Sequence, residues 1–296
     1  MRAVAYTHHG VPGVGVLDKD GRTVHPIAFS PHDAADGVLA IVDHCARGLP
    51  LPEQQPAIAL EDVELRAPIP RPRRNVFCVG KNYFDHAYEF ANSGFDSSAA
   101  WGAVPEAPIV FSKLPECVIP NGASIEIDPA ISTAVDYEAE LAVIIGKGGR
   151  NIPPAEALEH VWGYTIVNDI TARDIQGRHK QWLLGKSQDT YCPMGPVAVT
   201  ADEIDLGATQ VRCWVNDELR QDANTSQLIF DVPTLIATIS IGITLVPGDV
   251  IATGTPAGVG ISFDPPKYLR GGDRVRIEIS GIGALENPVV INGVAP

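Results

Sequence analysis

Three acids spaced by two, Asp136, Glu138 and Glu140, lead into the apolar run of residues 141–145 in "DYEAELAVIIGK". Residues two apart on a strand point to one face, so Glu138 and Glu140 are aimed together at the mouth of a buried strand. A carboxylate that close to a core needs a cation or a set of hydrogen bonds to offset its desolvation. A second group of acids lies in "VNDITARDIQ", where Asp169 ends the strand-like "YTIVN" and Asp174 follows five residues later. Carboxylates gathered without histidine suit a hard, oxygen-preferring ion, Mg2+ first and Mn2+ next, whereas zinc recruits His or Cys. A lone E-x-E is also what a solvated strand edge carries, and spacing alone leaves both readings open.

A different chemistry is suggested by "GKNYFDHAYEF", residues 80–90. His86 and Glu89 are three apart and share a face if this stretch is helical. A carboxylate beside an imidazole orients it and raises its basicity, which a general base near neutral pH requires. The same spacing also occurs in ordinary surface pairs. Donors and cations stand in "TARDIQ", with Arg173 and Gln176, and in "LLGKSQDTYCPMGP", with Lys186. Gly185 and the turn-rich sequel point to a fixed loop, from which Lys186 can stabilise an oxyanion. The stretch "ATGTPAGVG" (252–260) reads as a flexible glycine loop after the strand "DVI". No convincing helix follows it, so a dinucleotide fold is not supported. Thr255 and the neighbouring amides can hold a substrate carboxylate, or the stretch is a plain turn.

The elements that must position these residues are mostly β. "VAYTHHG", then "GVGVLD" and "TVHPI" around the "KDGR" turn, read as short strands with a hairpin, followed by a helix-like "DGVLAIVDHCARG". "RAPIPRPRRN", residues 66–75, combines three prolines with four arginines and reads as a linker. The division is therefore a small N-terminal α+β domain over 1–70 and a catalytic domain over 71–296. Beyond the linker, "NVFCVG", "APIVFS", "ELAVIIG", "GYTIVND", "MGPVAVT", "QVRCWVN", "DVIATG" and "DRVRIEIS" are rich in β-branched residues and bounded by turns. Helices are expected at 84–92, 154–161 and 230–239. Residues 91–108, small with single aromatics, have the composition of a loop near a site. Specificity is expected there and at Tyr83 and Trp101.

Composition bounds the partners. The chain has 296 residues, 45% of them hydrophobic, enough for one large domain or two unequal ones. A formal charge of −14 argues against nucleic acid and anionic membranes. It leaves room for a small anionic substrate, because an ion and local cations can reverse the sign inside a cleft. No run is long enough for a membrane span and no signal peptide is visible, so a cytoplasmic location is expected. The five cysteines form no metal pattern and are expected to be reduced and mostly buried.

Taken in order, "VGKNYFDHAYE", "FSK", "DYEAELAVIIGK", "VNDITARDIQ", "GKSQDTYCPMGP" and "ATGTPAGVG" resemble the fumarylacetoacetate hydrolase family over residues 75–292. The resemblance implies a β-roll of mixed, mostly antiparallel sheets around a metal site, usually in a homodimer. It implies that Glu138, Glu140 and Asp169 bind Mg2+ or Mn2+ and that His86 and Glu89 activate water. Lys186, with Arg173 and Gln176, would polarise the substrate, and Thr255 would contact its oxygen. The eukaryotic hydrolase carries a further metal-binding aspartate before its histidine; Asp85 directly precedes His86 here and takes no such role. The reaction expected is hydrolysis of a C–C bond in a 1,3-dicarbonyl or acylpyruvate such as fumarylpyruvate. Decarboxylation or isomerisation of a 2-oxo or hydroxydienoic diacid such as oxaloacetate is the alternative. A non-catalytic, metal-stabilised binding protein is the reading of another class.

Overall fold

The strands at the start of the chain alternate small and β-branched residues, which lets them stack as a meander. In the computed structural model, which describes residues 1–92 and 104–292, these are β1 (Arg2–His8), β2 (Val11–Leu17) and β3 (Thr23–Pro26), paired antiparallel in order. The "KDGR" turn is closed by Asp18, whose carboxylate accepts from the N–H groups of Arg22 and Thr23. Helices α1 (Pro31–Ala35) and α2 (Leu39–Ala46) follow, then the short strands β4 (Ile58–Ala59) and β5 (Glu64–Leu65). The next elements are β6 (Val76–Gly80), α3 (Phe84–Asn92), β7 (Ile109–Lys113), β8 (Val118–Ile119), β9 (Ile125–Ile127) and β10 (Val135–Asp136). After them come β11 (Ala139–Ile145), β12 (Val161–Asn168), β13 (Thr171–Ala172), α4 (Arg173–His179), α5 (Leu183–Lys186) and β14 (Cys192–Thr200). The chain closes with β15 (Gln210–Val215), β16 (Glu218–Asn224), α6 (Val232–Ser240), β17 (Val250–Ala252), β18 (Arg274–Ile279) and β19 (Gly283–Ile291).

Among the described residues, one 12-stranded sheet runs β4-β3-β2-β1-β14-β12-β11-β17-β6-β7, with β5 and β8 attached at its side. A second sheet runs β16-β15-β18-β19-β9, and β10 pairs with β13 alone. Most ladders are antiparallel; β17 with β6, β14 with β8 and β19 with β9 are parallel. The fold is thus the mostly β, mixed-sheet class expected. Residues 1–26 extend the large sheet directly, through the pairing of β1 with β14. The 66–75 stretch packs down, with Pro68, Ile69 and Pro72 buried. Arg73 grips Asp43 through two bonds of 2.8 and 2.6 Å, and Arg74 donates to Asp249.

The centre of the large sheet is apolar on both faces, which explains the continuous apolar run of β11. Leu141, Val143 and Ile145 enter one core layer with Tyr164, Ile166 and Ile251. Ala142 and Ile144 enter the other with Cys78, Val167, Met194 and Ala252. Glu140 shares the parity of Ala142 and Ile144, so the acids stand at the rim of that second layer. Helix α3 covers 84–92 as expected, residues 154–160 form a 3-10 turn, and α6 lies within two residues of its expected bounds. The short helices that carry Arg173 and Lys186, α4 with seven residues and α5 with four, were not anticipated. Of the expected 91–108 loop, residues 93–103, including Trp101, lie outside the described residues. The cysteines are free, four buried and Cys45 exposed. No described helix is long and apolar enough to cross a membrane.

Close approach of β12 to β14 dictates one glycine. A Cβ on Gly163 would stand 2.0 Å from the Val199 carbonyl oxygen, a backbone atom that cannot step aside. Gly163→Ala is expected to lower stability by about 1–3 kcal/mol through overpacking, read as a lower denaturant midpoint. An unchanged midpoint would mean that the two central strands are not this close.

Candidate active site

The ladder between β11 and β12 solves the problem that spacing left open. Ala139 pairs with Asn168, and the Asp169 N–H donates to the Glu138 carbonyl at 2.9 Å, setting Asp169 beside Glu138. The Glu138 N–H is in turn held by the Asn168 side chain at 3.1 Å. Each of Glu138, Glu140 and Asp169 offers one carboxylate oxygen within 4.8 Å of the others, and all three residues are buried. The structure therefore brings the three expected ligands together.

Buried carboxylates need partners, and these come from three separate elements. Lys186 ends α5 and its Nζ donates to Glu138 Oε2 and Asp169 Oδ2, both at 2.8 Å. Arg173 opens α4; its Nη1 lies 2.7 Å from Glu138 Oε1 and its Nε 2.9 Å from Asp136 Oδ2. Lys113, at the end of β7, donates to Asp169 Oδ1 at 2.6 Å and to the carbonyls of Ile170 and Lys186. Two of these positions correct the sequence reading. Lys186 sits on a buried helical turn, where a Cβ on Gly185 would meet the Gln176 nitrogen at 2.7 Å. Lys113, part of the "FSK" motif but given no role, is fully buried against the acids.

The glycine stretch is also not a flexible loop. Thr253 donates through its N–H and hydroxyl to the Leu141 carbonyl at 3.0 and 2.8 Å, continuing the sheet past β17. The following amides bind the chain's own acids. Gly254 donates to Glu140 at 2.8 Å, Gly258 to Glu89 at 3.0 Å, and Gly260 and Ile261 to Asp136 at 2.6 and 3.0 Å. These amides are committed to protein carboxylates, which corrects the expectation that they hold a substrate carboxylate. Gly254 and Gly258 have φ of 103° and 97°, and a Cβ on Gly258 would fall 1.8 Å from the Arg220 carbonyl oxygen. Thr255 is buried, with its hydroxyl accepting from Gln221 at 2.7 Å.

Helix α3 carries His86 and Glu89. Its start is fixed by Asn82, whose side chain donates to the Thr253 and Phe230 carbonyls at 2.8 and 3.0 Å. His86 is buried and faces the cleft, and Glu89, three residues on, is fastened to Gly258. Burial raises the Glu89 pKa, with Asp85 and Asp136 adding to the effect and hydrogen bonds from Gly258 and Ser262 opposing it. The cleft is lined by His86, Glu138, Glu140, Arg173, Gln176, Lys186 and Thr255, with Lys81, Phe111 and Trp182 in the wall. Phe111 meets Trp182 edge-on, and the Lys186 ammonium stands 4.9 Å from the Phe111 ring centroid.

Four buried carboxylates (Asp136, Glu138, Glu140 and Asp169) meet three buried cations (Lys113, Arg173 and Lys186), so one negative charge is left over. Lys81 and Glu89 at the flanks add one charge of each sign. Burial opposes ionisation of Glu138, but Lys186 and Arg173 outweigh it and hold its pKa below the usual value. For Glu140 burial, then Asp169 and Glu138, push the pKa well upward. Among the described residues no cation pairs with Glu140. An oxygen-only donor set carrying uncompensated negative charge fits a divalent hard cation.

Residues 75–290 match the family described as Fumarylacetoacetate (FAA) hydrolase C-terminal. The chain belongs to the fumarylacetoacetate hydrolase family. Oxaloacetate tautomerase YisK of Bacillus subtilis is 50% identical over 232 residues, covering 78% of this chain and 74% of that one. A solved fumarylacetoacetate hydrolase of Exiguobacterium antarcticum superposes with a TM-score of 0.84 at 40% identity, covering 99% of this chain and 100% of that one. A 5-carboxymethyl-2-hydroxymuconate delta-isomerase of Mycobacterium smegmatis gives 0.77 at 34% identity, with the same coverage. Hydrolases and isomerases thus share this scaffold.

For this family member, Glu140→Gln removes the charge that nothing compensates while keeping an acceptor for Gly254. The metal-free protein is expected to gain on the order of 1 kcal/mol, about 2–4 °C in Tm, and to lose any stabilisation by Mg2+. Scanning calorimetry with and without Mg2+ checks both halves; an undiminished Mg2+ effect would remove Glu140 from the ligand set.

Proposed function

We propose that this chain is a divalent-metal-dependent isomerase of a small 2-oxo diacid, interconverting the keto and enol forms of oxaloacetate or a close analogue. The observation that carries the reading is the make-up of the cleft wall, where the buried Arg173, Lys186 and His86 stand with Glu138 and Glu140. Tautomerisation moves one proton between C3 and the C2 oxygen, breaks no C–C bond and consumes no water. It requires a sink for enolate charge and one group that carries the proton. Hydrolysis requires in addition an ordered water and a stabilised carbon leaving group. The tautomerase name of a 50% identical relative and the isomerase title of a solved neighbour support the same choice.

In this reading Glu138, Glu140 and Asp169 would hold Mg2+ or Mn2+, which would supply Lewis-acid stabilisation of enolate charge. Gln176 and Thr255 orient the substrate carboxylates by hydrogen bonds. Lys186 and Arg173, fixed by their ion pairs, stabilise negative charge as it develops on the C2 oxygen; preset charges need no reorganisation when the reaction occurs. His86 takes the proton from C3 and delivers it to the C2 oxygen. Glu89, anchored by Gly258, holds the imidazole in place.

Hydrolysis of an acylpyruvate remains the second reading, because the His86/Glu89 pair can equally activate water. The hydrolase title of the Exiguobacterium structure supports it. Enol oxaloacetate diluted into buffer with protein and Mg2+ separates the two. Accelerated loss of enol absorbance, abolished by a chelator, is expected. Glu138→Ala should lose Mg2+ binding and activity together. His86→Asn should keep Mg2+ binding and lose about 10²–10⁴ in kcat. Pyruvate release from acylpyruvates without any enol–keto acceleration would replace the tautomerase with the hydrolase.

A further inference from the structure

Lys113 is the one member of the charged cluster that does no evident chemistry. It is 0% exposed and is not among the residues lining the cleft, so a substrate in the cleft does not reach it. Its ammonium touches one carboxylate, Asp169 Oδ1, and two carbonyls, those of Ile170 and Lys186. A buried lysine at this position is costly to keep charged, and a leucine or methionine at the end of β7 would pack without that cost. That cost is offset by geometry, since the ammonium is held 2.6 Å from the Asp169 carboxylate.

We infer that Lys113 sets the net charge of the site: with all four carboxylates ionised, as a bound divalent ion would have them, the third buried cation leaves the cluster at −1 without the ion and +1 with it. The inference rests on the metal-triad part of the proposed function and goes beyond it by assigning a residue to the recognition of dianions. Without Lys113 the empty cluster would be two charges negative, and a divalent ion would only neutralise it. The ion would then bind more tightly, while a dianionic 2-oxo acid would meet no residual positive field. Lys113 therefore gives up metal affinity in exchange for substrate affinity, from behind the ligand set and without touching either guest. Charge separations of about 5 Å make each effect roughly tenfold even at the dielectric of bulk water.

The opposite signs are what a damaged structure does not reproduce. Calorimetric titrations at pH 8 of Mg2+, and then of oxalate at saturating Mg2+, are compared for wild type, Lys113→Gln, Lys113→Met and Lys113→Arg. Folding of each is checked by circular dichroism and Tm. The expected result for Gln and Met is Mg2+ binding tightened roughly tenfold and oxalate binding weakened roughly tenfold, with Arg restoring both toward wild type. Weakening of both ligands, or no change in either, would overturn the inference and leave Lys113 as a structural tie. Failure of all three variants to fold would overturn it too, since the lysine would then be a determinant of the fold. Wild type that binds no Mg2+ would remove the triad itself and the inference with it. The enol assay, made separately on wild type, tells a failed reaction assignment from a failed role for Lys113.

Discussion

Everything around the cleft follows from the need to neutralise carboxylates that the large sheet carries into its own interior. Removing one partner from a buried ion pair leaves an uncompensated charge and costs about 3–5 kcal/mol. Asp136, Glu138, Glu140 and Asp169 therefore constrain segments that are remote in sequence. β7 must end at Lys113, α4 must begin at Arg173, and α5 must close on Lys186. None of these short elements is a strong secondary structure by itself; α5 has four residues. They are held because their charged ends find their partners. β11, apolar on both faces and paired on both sides, supplies the rigid base on which that match can be made.

The parts of this arrangement visible in the sequence are those with a local period. Glu138 and Glu140 share a side because strand side chains alternate, and no knowledge of the fold is needed for that. The His86/Glu89 relation is legible for the same reason in a helix. Asp169 is different: it is legible as an acid at a strand end, but nothing in the 28 residues between it and Glu140 states the register that pairs Ala139 with Asn168, and only the family resemblance chose it over Asp174. Lys113 carries no local signal, since a lysine closing "IVFSK" reads as a strand end reaching solvent. The glycine stretch was misread for a physical reason. Glycines mark flexibility and close approach alike, and here they allow positive φ and backbone contact in a packed segment. Lys186 was placed on a loop because a four-residue helix has too few turns to show a period.

The chemistry of the wall also explains how one scaffold supports differently named activities. Cations around clustered acids stabilise negative charge on an oxygen adjacent to carbon, a demand common to enolisation, to isomerisation of a dienoate and to release of a carbon leaving group. The differences arise in what the acid–base pair acts upon, a C–H or a water. One scaffold is therefore compatible with a tautomerase at 50% identity and a hydrolase at 40%. The residues that bind charge specify the class of intermediate, and those that bound the cleft specify the bond.

One segment links the two halves of this division. The 253–261 stretch donates an amide to Glu140 at one end, to Glu89 in the middle and to Asp136 at the other. Asp136 in turn holds Arg173, and Asn82 ties the start of α3 to the Thr253 carbonyl. The acid–base helix and the acid cluster are thus referenced to the same few backbone atoms. Any displacement of the loop moves Glu89 and Glu140 together, which preserves their separation better than two independent supports would. Reactive geometry tolerates little misplacement, so a shared backbone support keeps the spacing between these residues fixed. The positive-φ glycines are the condition for it, because side chains at 254 and 258 would strike Asn82 and Arg220 and push the support away from both partners.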